Sequence, residues 1–370
     1  MLVWVGVWTV SLVACGPRAG RGLEGQTEKQ DEQVDGGAAT ILGDVRMVGE
    51  GSYEGRLVDV LIEDGRVAAV GDLSRAGATV VDLEGHVLVP AFVDSHVHLA
   101  YLRMPEELAD GGIAAVVDLA VPLGELHGDQ GPLRVIQAGP MVTAVGGYPT
   151  QSWGAGGYGV ECADADEART AISQLVAAGA GVIKLPVTDD PVLDESALQA
   201  AVDAAHGSGL PVASHAMSDD AAALAAQVGV DVLAHTPTGS LTDATIAAWS
   251  DRAVISTLAA FGGSDRAVNN LRALHDAGTT ILYGTDFGNL RTTGIVEEEI
   301  HLLQEAGLTG AEILAAGTHV AADWWGLEGL GRIEVGAPAS VLVLDSDPEE
   351  DPTALARPVQ VWIGGQRRDG

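Results

Sequence analysis

Apolar runs of five to seven residues recur along most of the chain and alternate with longer segments of helical periodicity. Runs of this length are typical of buried parallel strands. They lie at residues 87–93, 113–119, 133–138, 181–185, 210–214, 230–234, 253–258 and 279–283. Asp164, Asp194 and Ser264 stand where intervening helices are expected to begin, because short polar side chains cap helix N-termini. The pattern predicts an α/β fold with a (β/α)8 TIM barrel over residues 89–331.

The segments on either side of this region have a different pattern, in which apolar and polar residues alternate. This alternation is typical of half-buried strands, and the pair Asp64-Gly65 predicts a tight hairpin turn. Residues 39–88 and 332–370 share this character. We therefore expect a small composite β-sandwich formed by both chain ends.

One long segment, residues 139–159, is rich in glycine and has no periodicity. It follows the third predicted barrel strand, at the end where TIM barrels carry their functional loops. The segment is expected to be a loop folded over the functional site. Plain loop flexibility is an equally good explanation of its glycines.

The N-terminus has the character of a targeting segment. Residues 1–14 are apolar but too few to span a membrane, which favours a signal peptide. The sequence Leu-Val-Ala-Cys that ends at Cys15 resembles the bacterial lipobox, although no Lys or Arg precedes the apolar run. This resemblance implies that residues 1–15 are a signal peptide with Cys15 as the lipidation site. It also implies an exported protein held by its lipid anchor alone, with the outer membrane or the periplasmic face as the expected location.

Residues 16–38 are polar and Gly-rich, and they are expected to be a flexible linker. Only one other cysteine, Cys162, is present. If Cys15 carries lipid, no intrachain disulfide can form.

The composition narrows the possible partners. The chain has 370 residues, of which 47% are hydrophobic, and a formal net charge of −33. So acidic a chain lacks the cationic surface that nucleic-acid phosphates require, so nucleic acid is not expected as a partner. The oligomeric state stays open.

Polar residues stand at the end of several of the apolar runs or just after it. They are His96, His98, Lys184, His215, His235 and Asp286. The carboxyl ends of barrel strands meet at one face, so these side chains are expected to converge. Imidazole and carboxylate groups gathered in this way predict a metal site.

Lys184 is unusual because the chain has only two lysines, the other being Lys29. An arginine always keeps its charge, whereas a buried lysine can lose its proton and react. A neutral amine can combine with carbon dioxide to give N6-carboxylysine, an anionic ligand able to bridge two metals. The alternative is an ordinary ion pair between Lys184 and a carboxylate.

These residues, in this order, resemble the amidohydrolase superfamily, in its imidazolonepropionase-like and prolidase-like branch. The matching stretches are DVLIEDGRVAAVG, VPAFVDSHVHL, GIAAVVDLA, GVIKLPV, LPVASHA, GVDVLAHT, YGTDFG and GLGRIEVGAPASVLVLDSDPEED.

The resemblance implies a site with two divalent metal ions, with zinc as the expected metal. His96, His98 and Asp286 would hold one ion, His215 and His235 the other, and the carboxylated Lys184 would bridge them. Asp286 would also be the catalytic residue that takes the proton from the activated water and passes it to the leaving nitrogen.

The implied activity is hydrolysis of a C–N bond in a small amide- or peptide-like substrate by metal-activated hydroxide, with a dipeptide as the expected example. One alternative is a mononuclear hydrolase of cyclic amides or imidazolones. Another is a small-molecule-binding lipoprotein without catalysis. Tyr148 stands where peptidase-like relatives have His after Gly-Gly, which makes it a candidate substrate contact. Tyr101, which follows the pair His96 and His98 by a few residues, is the second candidate, with loop anchoring as its alternative role. The six other histidines, from His86 to His319, are expected to be surface or packing residues.

Overall fold

The structure is a computed structural model that describes residues 39–48, 56–188 and 191–368. The strands are β1 Thr40–Met47, β2 Leu57–Glu63, β3 Arg66–Gly71, β4 Thr79–Asp82, β5 Val87–Pro90, β6 Phe92–Val97, β7 Ile113–Asp118, β8 Arg134–Gln137, β9 Met141–Ala144, β10 Gly159–Cys162, β11 Ile183–Lys184, β12 Val212–Ser214, β13 Val232–Leu233, β14 Ala253–Ile255, β15 Thr280–Leu282, β16 Val341–Leu344, β17 Gln360–Ile363 and β18 Gln366–Arg368.

The α-helices are α1 Pro105–Asp110, α2 Ala165–Ala177, α3 Glu195–Gly207, α4 Asp219–Gln227, α5 Asp243–Ala248, α6 Asp265–Asp276, α7 Glu297–Glu305, α8 Gly310–Gly317 and α9 His319–Trp325. The predicted N-caps are confirmed, because the side chains of Asp164, Asp194 and Ser264 accept hydrogen bonds from the first backbone N–H groups of α2, α3 and α6. In the part of the chain that the structure describes, no helix is both long enough and apolar enough to cross a bilayer.

Strands from both chain ends share one mixed sheet, as the alternating patterns predict. Its order is β18-β17-β16-β5-β1-β2-β3, and β4 pairs with β1 as well. The C-terminal strand β16 runs antiparallel to β5. At the predicted hairpin, Asp64 and Gly65 both have positive φ angles, of 50° and 75°. The division of this sheet into two sandwich layers stays a prediction, as do the predicted domain boundaries.

The central region has eight parallel strands in two sheets, and seven of them lie within the predicted apolar runs. One sheet has the order β6-β7-β8 and the other β11-β12-β13-β14-β15. Hydrogen bonds join the two sheets at both edges: Gly181 N donates to Gln137 O at 2.9 Å, and Ser95 N donates to Tyr283 O at 2.9 Å. The chain is thus α/β, with eight parallel strands in sequence order.

The strand predicted at 87–93 is instead two strands, and this prediction was wrong at Ala91. The backbone N–H of Ala91 donates to Ser340 O of the mixed sheet, at 3.0 Å. The next N–H, of Phe92, donates to Gly112 O of the parallel set, also at 3.0 Å. The chain therefore changes sheets between two consecutive residues, and a continuous apolar run gives no sign of this.

The segment 139–159 is more ordered than a plain loop. It contains β9 and begins β10, and these two strands pair with each other in parallel. The prediction of a loop was therefore wrong at both ends of the segment. Pairing between β9 and β10 joins residues far apart in the sequence, so local periodicity does not reveal it.

Candidate metal centre

The first part of the site lies on β6 and the residue that follows it. Asp94 and His96 belong to β6, and His98 comes directly after its last residue, Val97. All three side chains are buried. His96 Nδ1 lies 2.7 Å from Ala234 O, and His96 Nε2 has no hydrogen-bond partner in the described residues. A hydrogen bond on one ring nitrogen leaves the other free to bind a metal.

Asp286 meets these two histidines from the segment that follows β15. Its Oδ1 lies 3.1 Å from His98 Nε2 and 3.6 Å from His96 Nε2. One ligand atom from each of these three residues lies within 4.8 Å of the others, which makes this set a candidate metal site. Burial raises the pKa of Asp286, but electrostatic interactions with His96 and His98 and hydrogen bonds from His98 and Asn289 outweigh this effect and lower the pKa to about 2.

The backbone at Asp286 is constrained. Its φ is +56°, in the left-handed region, and its N–H donates to His96 O at 2.8 Å. Asn289 Nδ2 donates to both carboxylate oxygens, at 3.1 and 3.2 Å. Gly288 follows with φ +115°, and a Cβ there would lie 2.7 Å from His98 Cβ. The loop after Asp286 therefore needs glycine in order to pass over His98.

His215 and His235, which follow β12 and β13, lie beside the first pair. The ring centroids of His96 and His235 are 4.5 Å apart, and those of His215 and His235 are 4.7 Å apart. Burial, followed by the charge of Lys184, lowers the pKa of His215 to about 3. Burial also lowers the pKa of His235, so His215 and His235 are neutral at neutral pH, the form that binds metals.

Lys184 lies at the end of β11 and is fully buried. Burial lowers the pKa of its amine to about 7, while Asp286 acts in the opposite direction. Among the described residues, Nζ has neither a hydrogen-bond partner nor a carboxylate within ion-pair distance. The expected alternative, an ordinary lysine–carboxylate pair, is thus not seen.

The donor set fits divalent cations. Buried polar atoms nearly always have a partner, yet His96 Nε2, His98 Nδ1 and Lys184 Nζ have none in the described chain. Imidazoles with one carboxylate suit zinc or a similar metal.

Asp94 supports the site and was not among the predicted residues. Its Oδ1 accepts the backbone N–H groups of His96 and Thr285, at 3.1 and 3.0 Å. Its Oδ2 accepts the Thr285 hydroxyl at 2.5 Å. Asp94 thereby ties β6 to the segment that carries Asp286. A buried carboxyl group within an apolar strand, two residues before His96, is a sequence signal that could have identified it.

Aromatic residues of the 139–159 segment cover the histidines. The ring centroid of Trp153 lies 4.8 Å from that of His98, and Tyr148 lies 4.8 Å from His215. Trp153 Nε1 donates to the Tyr148 hydroxyl at 2.9 Å. Tyr101 is 42% exposed, and its ring lies beside Trp153 rather than beside a histidine. The ring centroids of Tyr101 and Trp153 are 5.4 Å apart. Of the two predicted substrate contacts, Tyr148 is therefore the one beside the site.

The remaining histidines make contacts away from this cluster. His206 Nε2 lies 2.8 Å from Asp231, and His127 Nε2 lies 3.0 Å from Ala178 O. These contacts agree with surface and packing roles. Cys162 is buried and free, and Cys15 lies outside the described residues.

The sequence of this chain is similar to those of several known proteins. A sequence model described as the amidohydrolase family matches residues 133–368. An uncharacterised protein of Mycobacterium tuberculosis is 28% identical over 353 residues, which covers 84% of this chain and 91% of that protein. A dihydroorotase of the same organism is 45% identical over 71 residues, 17% of this chain and 16% of its own length.

Among solved structures, a Xaa-Pro dipeptidase with methionine bound in its active site has a similar fold. The TM-score is 0.76 at 19% sequence identity, with 90% of this chain and all (100%) of that chain covered. At this identity the likeness concerns the fold. The family match extends over four of the six predicted ligands and begins after His96 and His98.

Proposed function

The chain belongs to the amidohydrolase family and is a hydrolase acting on carbon–nitrogen bonds, and on this premise we propose that it uses two metal ions to cleave a small amide- or peptide-like substrate. A dipeptide is the substrate we expect. The non-catalytic binding lipoprotein is correspondingly disfavoured.

The observation that carries the proposal is the clustering of the predicted ligands. His96, His98 and Asp286 lie within 4.8 Å of one another, and the ring of His235 lies 4.5 Å from that of His96. All are buried, with no competing partner for His96 Nε2 among the described residues. When bound, the cations supply polarisation of the scissile carbonyl and lower the pKa of a water molecule. His96, His98 and Asp286 would hold one ion, and His215 and His235 the other.

In this proposal Lys184 supplies the bridging ligand as N6-carboxylysine. The neutral Nζ attacks carbon dioxide, an N–C bond forms, and the amine proton is lost to solvent. The low pKa of the buried amine supports this step, because burial favours the neutral form that reacts. The absence of any described partner for Nζ supports it as well.

Asp286 is the proposed proton carrier. Its Oδ1 is near both His96 and His98, whereas Oδ2 accepts a hydrogen bond from the Asn289 amide at 3.2 Å. We assign Oδ2 to take a proton from the attacking water and to deliver it to the leaving nitrogen. Tyr148, whose pKa burial raises to about 12, stays protonated and can donate a hydrogen bond to substrate.

A mononuclear hydrolase of cyclic amides is the second candidate. It is supported by one observation: the compact ligand set found in the described residues consists of His96, His98 and Asp286 only. Such a site would not require a carboxylated Lys184.

The test is metal stoichiometry of the chain lacking residues 1–15, purified without chelator and with bicarbonate present. We expect close to two ions per chain, with Lys184→Ala lowering metal content to one or fewer and activity by roughly 100-fold or more. Lys184→Arg should restore neither, since arginine cannot form the carbamate.

Lys29→Ala is the matched control, because it removes the other lysine, in the predicted linker. One ion per chain would favour the mononuclear candidate. Full activity of the Lys184→Arg variant would exclude the bridging role. No metal after reloading would overturn the proposal.

We propose further that the eight parallel strands close into a (β/α)8 barrel, with the metal centre at the carboxyl ends of the strands. The hydrogen bonds between Gln137 and Gly181, and between Ser95 and Tyr283, support closure. We also retain the proposal of an exported protein, lipid-anchored through Cys15. It rests on the sequence alone, since residues 1–38 lie outside the described part of the chain.

A further inference from the structure

The segment between β14 and α6, residues 256–264, is firmly attached beside the metal centre. Thr257 Oγ1 lies 3.0 Å from His235 Nδ1. The backbone N–H groups of Leu258 and Ala259 donate to the buried carboxylate of Glu299, at 3.0 and 2.7 Å. These hydrogen bonds hold the backbone of the segment in place beside the metal centre.

The segment presents Phe261 to the histidines. The Phe261 ring centroid lies 4.8 Å from that of His235 and 6.5 Å from that of His215. Phe261 is 36% exposed, whereas the other two phenylalanines of the chain, Phe92 and Phe287, are completely buried. An exposed aromatic ring held against metal-ligand candidates offers an apolar surface to whatever enters the site.

Arg266, at the start of α6, lines the same cavity as His215, which has a volume of about 370 Å³. Among the described lining residues there is no carboxylate, and Arg266 is the one permanently charged side chain. It forms no ion pair with the described residues, in a chain with 52 acidic and 19 basic residues. A cation in the first turn of a helix also opposes the helix dipole, so helix stability does not explain it.

We propose that this segment and the start of α6 recognise the substrate, with Phe261 packing against an apolar group and Arg266 pairing with a carboxylate. The inference rests on the proposed hydrolysis of an amide bond and narrows its substrate class. The preferred substrates are compounds in which the cleaved amide stands beside a free carboxylate and an apolar side chain. A dipeptide with an apolar C-terminal residue is the simplest member.

The test compares three probes with the zinc-loaded enzyme: L-alanyl-L-leucine, L-alanyl-L-leucinamide and L-alanylglycine. Wild type should prefer the first over both others in kcat/KM. Arg266→Gln should lower the acid-to-amide preference roughly tenfold, because it removes the charge partner of the carboxylate. Phe261→Ala should lower the leucine-to-glycine preference by roughly tenfold, since it removes apolar contact.

The matched controls are Arg291→Gln, an exposed arginine that does not line the cavity, and Leu57→Ala, a leucine 58% exposed on the mixed sheet. Neither should change the two preferences. Equal hydrolysis of acid and amide by wild type, or an Arg266→Gln variant with an unaltered preference, would overturn the inference while leaving amide hydrolysis intact.

If wild type hydrolyses none of the probes, the proposed function is wrong. The inference about substrate recognition is then tested by ligand binding instead. L-leucine should then raise the Tm of wild type more than L-leucinamide does, and this difference should be lost in Arg266→Gln. Equal shifts for the two ligands would overturn the inference.

Discussion

At the scale of single residues, Asp94 shows how a side chain without a direct chemical role can shape the site. Its two oxygens accept three hydrogen bonds, two from backbone N–H groups and one from the Thr285 hydroxyl. These bonds fix the backbone of His96 relative to the segment that carries Asp286. Burial raises the pKa of Asp94 to about 7, despite these donors.

The geometry predicts very different outcomes for two substitutions of Asp94. Asp94→Ala leaves buried donors without an acceptor and should lower the free energy of unfolding by about 3 kcal/mol. Asp94→Asn keeps the oxygen that accepts both backbone N–H groups, and its amide can donate to Thr285 Oγ1. Asp94→Asn should therefore lower the free energy of unfolding by less than about 1 kcal/mol.

Urea denaturation measures both effects, and zinc affinity should fall with Asp94→Ala by roughly 10- to 100-fold. Equal destabilisation by Asn and Ala would show that the carboxylate charge matters more than the hydrogen bonds.

At the scale of elements, an ion cluster joins strands β1 and β2 of the mixed sheet. Arg75 Nη2 and Nε donate to the two oxygens of Asp59, at 2.6 and 3.1 Å. The same guanidinium lies 2.9 Å from Asp44 Oδ2. Asp44 has a φ of +56°, in the irregular part of β1, and its N–H donates to Asp59 at 3.1 Å. Asp59 is only 5% exposed, whereas the Asp44 side chain is 45% exposed.

This cluster predicts a pH-dependent effect of Asp59→Asn. The hydrogen bond from Arg75 holds the folded-state pKa of Asp59 below its ordinary value of 3.8, despite partial burial. The stabilisation is therefore present above that value and is lost as the pH falls through the folded-state pKa. Asp59→Asn should lower Tm at pH 7 by roughly 3 °C, and the difference from wild type should shrink toward pH 3.

Asp44→Asn is the control for Asp59→Asn, because it removes the exposed partner of the same arginine and should have a smaller effect. Thermal scans between pH 3 and 7 measure both variants. A Tm difference for Asp59→Asn that does not vary with pH would contradict the assignment.

At the scale of the whole molecule, the net charge of −33 and the N-terminal segment bear on where the protein works. The acidic charge favours solubility and gives no means of binding anionic membranes. Membrane attachment therefore depends, in our proposal, on the lipid carried by Cys15.

Substitution of that residue tests the proposal. Cys15→Ser should abolish incorporation of labelled palmitate and move the enzyme from the membrane to the soluble fraction, with hydrolysis unaffected. Cys162→Ser is the control, since Cys162 is buried and should not carry lipid. Membrane retention of the Cys15→Ser protein after cell fractionation would contradict a lipid anchor.

The sequence by itself determined most of the central elements and the residue types gathered at the candidate centre. Seven of the eight central strands lie within the predicted apolar runs, because a buried strand needs a local run of apolar residues, and β6 begins at the end of the first run. His215 and His235 follow such runs directly and Asp286 lies three residues after one, so the strand order alone predicted that they would meet.

The tertiary structure decided which residues surround those ligands. The change of sheets at Ala91, the pairing of β9 with β10, and the placement of Trp153 and Phe261 on the histidines all join residues distant in the sequence. Local periodicity carries information about burial and element type, but not about which partner a strand or ring will contact. The recognition surface around the site follows from packing between elements, and therefore only from the folded chain.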